Sequence, residues 1–125
     1  MKRILLADDE ETILLAYQKL LQGDGVEVIA VDTAEMATIC LKQECYDAFI
    51  VDLRIHGTAV MDGLDLVSLA RKKQHSCFIV VVTAYGDKEI ETNAADAGAD
   101  LFLEKPVSPV KLKGMLKEKQ IYSKN

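Results

Sequence analysis

The sequence predicts an α/β fold in which one parallel, five-stranded sheet is doubly wound, with helices on both faces. Strand-like and helix-like segments alternate five times along the 125 residues, and only short breaks separate them. Inner strands such as "FIVVV" are apolar at every position rather than at every second one. Strands running the same way need crossover connections, crossovers put helices on the faces, and a strand covered on both sides reads as continuously apolar.

The elements follow in order. "RILLA" is the first strand and "TILLAYQKLL" the first helix, its apolar stripe made either by Leu14, Tyr17 and Leu21 or by Ile13, Leu20 and Leu21. "GDG" ends it. "VEVIAV" is the second strand, and "DTAEMATICLKQE" the second helix, with Asp32 and Glu35 at the spacing of a capping box. "DAFIVD" and "MDGLDLVSLARKK" form the third pair, "CFIVVVTA" and "GDKEIETNAADAG" the fourth, with Gly98 as a left-handed helix cap. "DLFLEK" and "SPVKLKGMLKEKQ" complete the fifth. Residues 1–120 make one domain, and 121–125 read as a tail or the start of a linker.

Composition narrows the function classes. Half the residues are hydrophobic and 28% charged, which suits a folded soluble domain and not a disordered chain. The opening "MKRILLA" is too short and runs too soon into acids for a secretion signal, and no apolar run nears the roughly 18 residues of a membrane span. The expectation is a cytoplasmic protein with no membrane partner. Cys40, Cys45 and Cys77 are odd in number and lack C-x-x-C spacing, so they are expected as buried reduced thiols. From Lys105 onward there are six Lys and one Glu, but the net charge is -5 and no nucleic-acid motif accompanies them. A solvated helix face is the expectation, without direct nucleic-acid binding.

The first strand ends directly in Asp8, Asp9, Glu10 and Glu11. Like charges about 4 Å apart repel by roughly 4 kcal/mol near a protein surface, so the crowding needs an offset. A helix N-terminus accounts for Glu10 and Glu11, at about 0.3 to 1 kcal/mol each. For the other two the fold supplies more. Ligands of open α/β sheets bind beyond the carboxyl ends of the strands. Those ends carry Asp8 and Asp9, Asp52, Thr83 and Lys105. Three carboxylates with no His or Cys suit a hard cation such as Mg2+, and Lys105 balances charge and can clamp a phosphoryl oxygen. Asp52, rigidly held at a central strand end and faced by the Thr83 hydroxyl, can act as a nucleophile and form an aspartyl phosphate. Each residue alone has a plain structural explanation, from helix-end charge to surface lysine; their joint placement at four strand ends favours the functional one.

With "LLADDEE", "FIVDLR", "MDGLDLV", "VVVTAYG" and "ADAGADLFLEKPV" in this order, the chain resembles the receiver domains of two-component response regulators over nearly its whole length. The resemblance implies the flavodoxin-like strand order 2-1-3-4-5 and a phosphoryl group passed from a histidine kinase or phosphotransfer protein to Asp52. It also implies Mg2+ ligation by Asp9, Asp52 and the main-chain carbonyl of Arg54, with Asp8 acting largely through water. Lys105 and Thr83 would contact the phosphoryl group, Phe102 would be the aromatic switch, and the Lys105–Pro106 bond would be cis. The face made by the fourth helix, fifth strand and fifth helix would change, toward an output domain or a homodimer. Arg54 and Tyr85, two residues beyond Asp52 and Thr83, would tune the lifetime of the acyl phosphate.

One stretch departs from the family pattern. "LRIHGTAVMDG" is longer than the usual loop after the phosphoacceptor and has no proline; His56 within it, like His75 later, is expected at the surface. A pseudo-receiver that keeps the fold without being phosphorylated is the second reading. A Mg2+-dependent phosphohydrolase is less favoured, because the position of its general acid is taken by Arg54. A flavin-binding domain is disfavoured because Asp8 to Glu11 would repel its phosphate.

Overall fold

A computed structural model describes residues 1–23, 25–55, 63–84, 86–119 and 121 of the chain. The elements are β1 (Lys2–Ala7), α1 (Glu11–Leu21), β2 (Val26–Val31), α2 (Ala34–Gln43), β3 (Ala48–Asp52), α3 (Gly63–Lys73), β4 (Phe78–Thr83), α4 (Lys88–Ala97), β5 (Leu101–Glu104) and α5 (Pro109–Glu118). All neighbouring strands are parallel, in the order β2-β1-β3-β4-β5. The α/β class and the order 2-1-3-4-5 are therefore as expected.

The alternation of side chains along each strand divides the interior into two cores. Leu5, Ala7, Phe49, Val51, Ile79 and Val81 face α2, α3 and α4, whereas Ile4, Leu6, Ile50, Val80 and Val82 face α1 and α5. Of the two stripes that α1 could present, the buried one is Leu14, Tyr17 and Leu21. Each fully buried Leu or Ile contributes about 1.5 to 3 kcal/mol, and both cores are lined with them. Ile121, at the start of the expected tail, is buried in the second core, and its N–H donates to the carbonyl of Leu116.

Helix starts follow local chemistry. Thr33 caps α2 by accepting from the Met36 N–H, so the cap lies one residue beyond the expected Asp32, and Glu35 does not close a capping box. Thr33 wins because its own backbone is extended while Ala34 already winds into the helix. Asp87 caps α4 and Ser108 caps α5, where Pro109 takes the first turn. Gly98 ends α4 at φ +121°, a conformation that a side chain would strain. Gly63 opens α3 against Leu53, and a Cβ there would lie 2.3 Å from the Leu53 Cα.

The end of the sheet remote from the strand tips is tied by polar groups. Gln74, buried after α3, accepts from the Tyr46 N–H and donates to the carbonyls of Leu41 and Glu44. Arg71 donates to the Gly98 carbonyl and to Asp100, joining α3 to the end of α4. His75 and most of the α5 lysines are exposed, in line with expectation. The thiols are all free, but only Cys77 is buried, and burial pushes it up to about 12. Cys45 is exposed and Cys40 half-buried, contrary to the expectation of three buried thiols; Cys40 packs against the edge of the first core, and Cys45 lies just beyond the end of α2. No described helix is long and apolar enough to cross a membrane.

Candidate functional site

Parallel pairing brings the strand tips to one rim. β1 ends at Ala7 with Asp8 immediately after it, β3 ends at Asp52 and β4 at Thr83, and Lys105 follows β5. Asp8, Asp52 and Thr83 are all buried, an unusual state for carboxylates without partners. Here the partner is Lys105. Its ammonium lies 2.9 Å from Asp8 Oδ2 and 3.0 Å from Asp52 Oδ2, and its side chain is only 10% exposed.

The remaining carboxylate oxygens accept from the main chain. Asp8 Oδ1 takes the Glu10 N–H and Asp52 Oδ1 takes the Arg54 N–H, both at 2.9 Å. Such two-residue turns are what Asp favours locally, and here they also fix the direction of each carboxylate. The Lys105 N–H donates to the Thr83 carbonyl at 2.8 Å, which seats the lysine beside β4. The Lys105–Pro106 peptide bond is cis.

Electrostatics follow from burial. Desolvation pushes the Asp8 carboxyl above the usual carboxylate range, against the lowering effect of Lys105 and the Glu10 N–H, with the Asp52 charge adding to the rise. Burial pulls the Lys105 ammonium down, but its hydrogen bonds to Asp8 and Asp52 outweigh this and carry it above its ordinary value. The site is thus two anions and one cation held with little water, poorly neutralised as it stands.

One oxygen each from Asp8, Glu10 and Asp52 lie within 4.8 Å of one another, so an all-oxygen donor set suited to a hard divalent ion is already gathered. Glu10 was assigned above to helix-end charge alone. In the structure its carboxylate also approaches Lys105, at 3.6 Å. Its position directly after two Asp residues was the available signal. Asp9 is half-buried beside the cluster and is not part of that close trio. Arg54 enters through its main-chain N–H. Phe102 is half-buried on β5, paired in register with Val81, and its ring packs close to Gly86: a Cβ on that glycine would lie 2.9 Å from Phe102 Cε1. His56, Tyr85 and the lengthened loop at 56–62 lie outside the described residues, as does 122–125.

A doubly wound sheet of this strand order, with a lysine-bridged pair of buried carboxylates at its carboxyl rim, defines a flavodoxin-like domain of the CheY type. More particularly, the chain belongs to the response regulator receiver domain family, whose model matches residues 4–117. It is a receiver domain of two-component systems.

Among curated relatives, the sensory/regulatory protein RpfC of Xanthomonas campestris is 39% identical over 114 residues, covering 88% of this chain and 15% of RpfC. The alginate biosynthesis transcriptional regulatory protein AlgB of Pseudomonas putida is 33% identical over 111 residues, covering 89% of this chain and 24% of AlgB. The chain therefore spans less than a quarter of the length of these relatives. Among solved structures, a CheY-like response regulator receiver domain protein from Methanospirillum hungatei matches with a TM-score of 0.87 at 31% identity, over 95% of this chain and 93% of that one.

Proposed function

We propose that Asp52 is the phosphoacceptor of this receiver domain, taking a phosphoryl group from a histidine kinase or a histidine phosphotransfer protein. The observation that carries the reading is the Lys105 ammonium bonded at once to Asp52 and Asp8 at the end of the sheet. An Asp52 oxygen attacks phosphorus, the bond from phosphorus to the donor's imidazole nitrogen breaks, and that nitrogen keeps the electron pair. Transfer of this kind rests on positioning and charge neutralisation more than on proton chemistry.

In this reading Asp8, Asp9, Asp52 and the main-chain carbonyl of Arg54 hold Mg2+, and the donor set gathered by Asp8, Glu10 and Asp52 adds Glu10 as a candidate ligand. When bound, Mg2+ supplies positive charge toward the phosphoryl oxygens. Lys105 turns from its carboxylate partners to a phosphoryl oxygen, and the Thr83 hydroxyl donates to another. Drawing Thr83 toward the phosphoryl group frees space for Phe102 to turn inward, which alters the α4-β5-α5 face. With no hydroxyl on Phe102, that change is read by burial. The altered face then acts on an attached output domain, a separate partner or a second copy of the chain. Arg54 and Tyr85 tune how fast the acyl phosphate is lost.

The domain acts as a signalling acceptor in the cytoplasm and not as an enzyme on an external substrate, since Arg54 stands where a phosphohydrolase of this chemistry carries its second Asp. Incubation with Mg2+ and acetyl phosphate, followed by intact mass, tests the reading. The expected result is a gain of one phosphoryl mass in the natural chain and none in Asp52→Asn. A natural chain that stays unmodified favours the pseudo-receiver and overturns it.

A further inference from the structure

The lysine that bridges the two carboxylates is carried on a segment held from two sides. On one side its main-chain N–H is bonded to the Thr83 carbonyl. On the other, two residues further on, the Val107 carbonyl accepts a hydrogen bond from the hydroxyl of Tyr17, which reaches across from α1. Beyond that, Ser108 caps α5 and fixes the segment's far end.

Tyr17 is only 7% exposed, and its ring belongs to the core between α1 and α5. A leucine or phenylalanine could fill that volume. The hydroxyl is what needs explaining, because a buried phenol requires a partner and its bond is spent on this one carbonyl. Burial pushes the phenol above its ordinary value, while the charges of Lys105 and Asp8 pull it down and push it up respectively, so the ring stands within electrostatic reach of both. A flexible lysine stem can reach one oxygen from many main-chain positions, but meeting Asp8 and Asp52 at once leaves few of its rotamers, and a main chain fixed in place keeps those few favoured.

We propose that Tyr17 is a positioning residue of the phosphoryl-transfer site, its hydroxyl pinning Val107 so that the Lys105 ammonium is presented to Asp8, Asp52 and the incoming phosphoryl oxygen. The proposal rests on the reading of Asp52 as phosphoacceptor for its kinetic consequence, and on the geometry alone for the consequence on Lys105.

Tyr17→Phe keeps the ring and removes the hydroxyl, and its thermal midpoint checks that it folds. Two readouts decide. The first is the mobility of the Lys105 Cε methylene by NMR, assigned through its absence in Lys105→Arg; it should rise in Tyr17→Phe, whereas a purely space-filling role leaves it unchanged. The second is the rate of labelling by acetyl phosphate and Mg2+, which should fall about two- to tenfold, the worth of one hydrogen bond. In a Lys105→Ala background the same change should cost nothing further, because Tyr17 acts through that lysine. Unchanged Lys105 mobility overturns the proposal, and so does an equal loss of rate in both backgrounds. A natural chain that is not labelled at all removes the phosphoacceptor reading instead, and the mobility of Lys105 then decides the role of Tyr17 alone.

Discussion

Replacing Lys105 by Ala removes the cation that bridges two buried carboxylates, and the structure sets the size of the effect. At an effective dielectric of about 20, attractions across 2.9 and 3.0 Å are worth about 6 kcal/mol each, against at least about 3.5 kcal/mol of repulsion for two carboxylates with oxygens within 4.8 Å of each other. Desolvation of three charges offsets much of that gain, and removing one member of a buried ion pair costs about 3 to 5 kcal/mol net. Taking the lower end, the metal-free variant should lose about 3 kcal/mol at neutral pH, or about 12 °C in melting temperature for a chain of this size.

The pH dependence gives the sharper test. Asp8 already sits above the ordinary carboxylate range, so its ionisation costs stability: stability is greatest below its unfolded value and falls as pH rises through the folded one. Without the ammonium, Asp8 moves further in that direction, so the deficit of the variant should be largest near pH 7 and shrink toward about pH 4. In the natural chain Lys105 is raised, so its own contribution is complete at neutral pH and lost only in strong alkali. Urea denaturation in a chelator at both pH values measures this. A deficit below about 1 kcal/mol, or one equal at the two pH values, refutes the electrostatic account.

Two further substitutions probe regions away from the carboxylates. Gly86→Ala places a Cβ 2.9 Å from Phe102 Cε1 and should displace the ring while leaving the fold intact, seen as a shifted fluorine resonance from labelled Phe102. Gln74→Leu strips partners from the Tyr46 N–H and the carbonyls of Leu41 and Glu44, and should cost at least about 3 kcal/mol in urea denaturation, because each orphaned buried group carries about 1 to 3 kcal/mol.

The fold was legible because its signals are redundant. An all-apolar run such as Ile79 to Val82 permits little besides a strand buried on both faces, and five strand-like runs, the inner ones continuously apolar, with helical stripes between them leave few topologies. Asp8, Asp52, Thr83 and Lys105 were legible for the same reason, since parallel strands put their carboxyl ends on one rim. What depended on single atoms was not. The cap of α2 turned on whether Asp32 or Thr33 faced the first free N–H. Glu10 looked like any acid opening a helix, and its approach to Lys105 depends on how the chain turns after Asp8. The Tyr17 hydroxyl was invisible because, in a periodic stripe, tyrosine and phenylalanine read alike.

The helices are not fastened equally. α3 buries Gly63, Leu66, Val67 and Ala70, whereas α4 buries only Ala94. Just beyond the last turn of α4, Arg71 adds a polar hold through the Gly98 carbonyl and Asp100. A rod held chiefly at one tip pivots about that tether, so in the switch proposed above a small displacement near Thr83 would become a wider sweep at the surface.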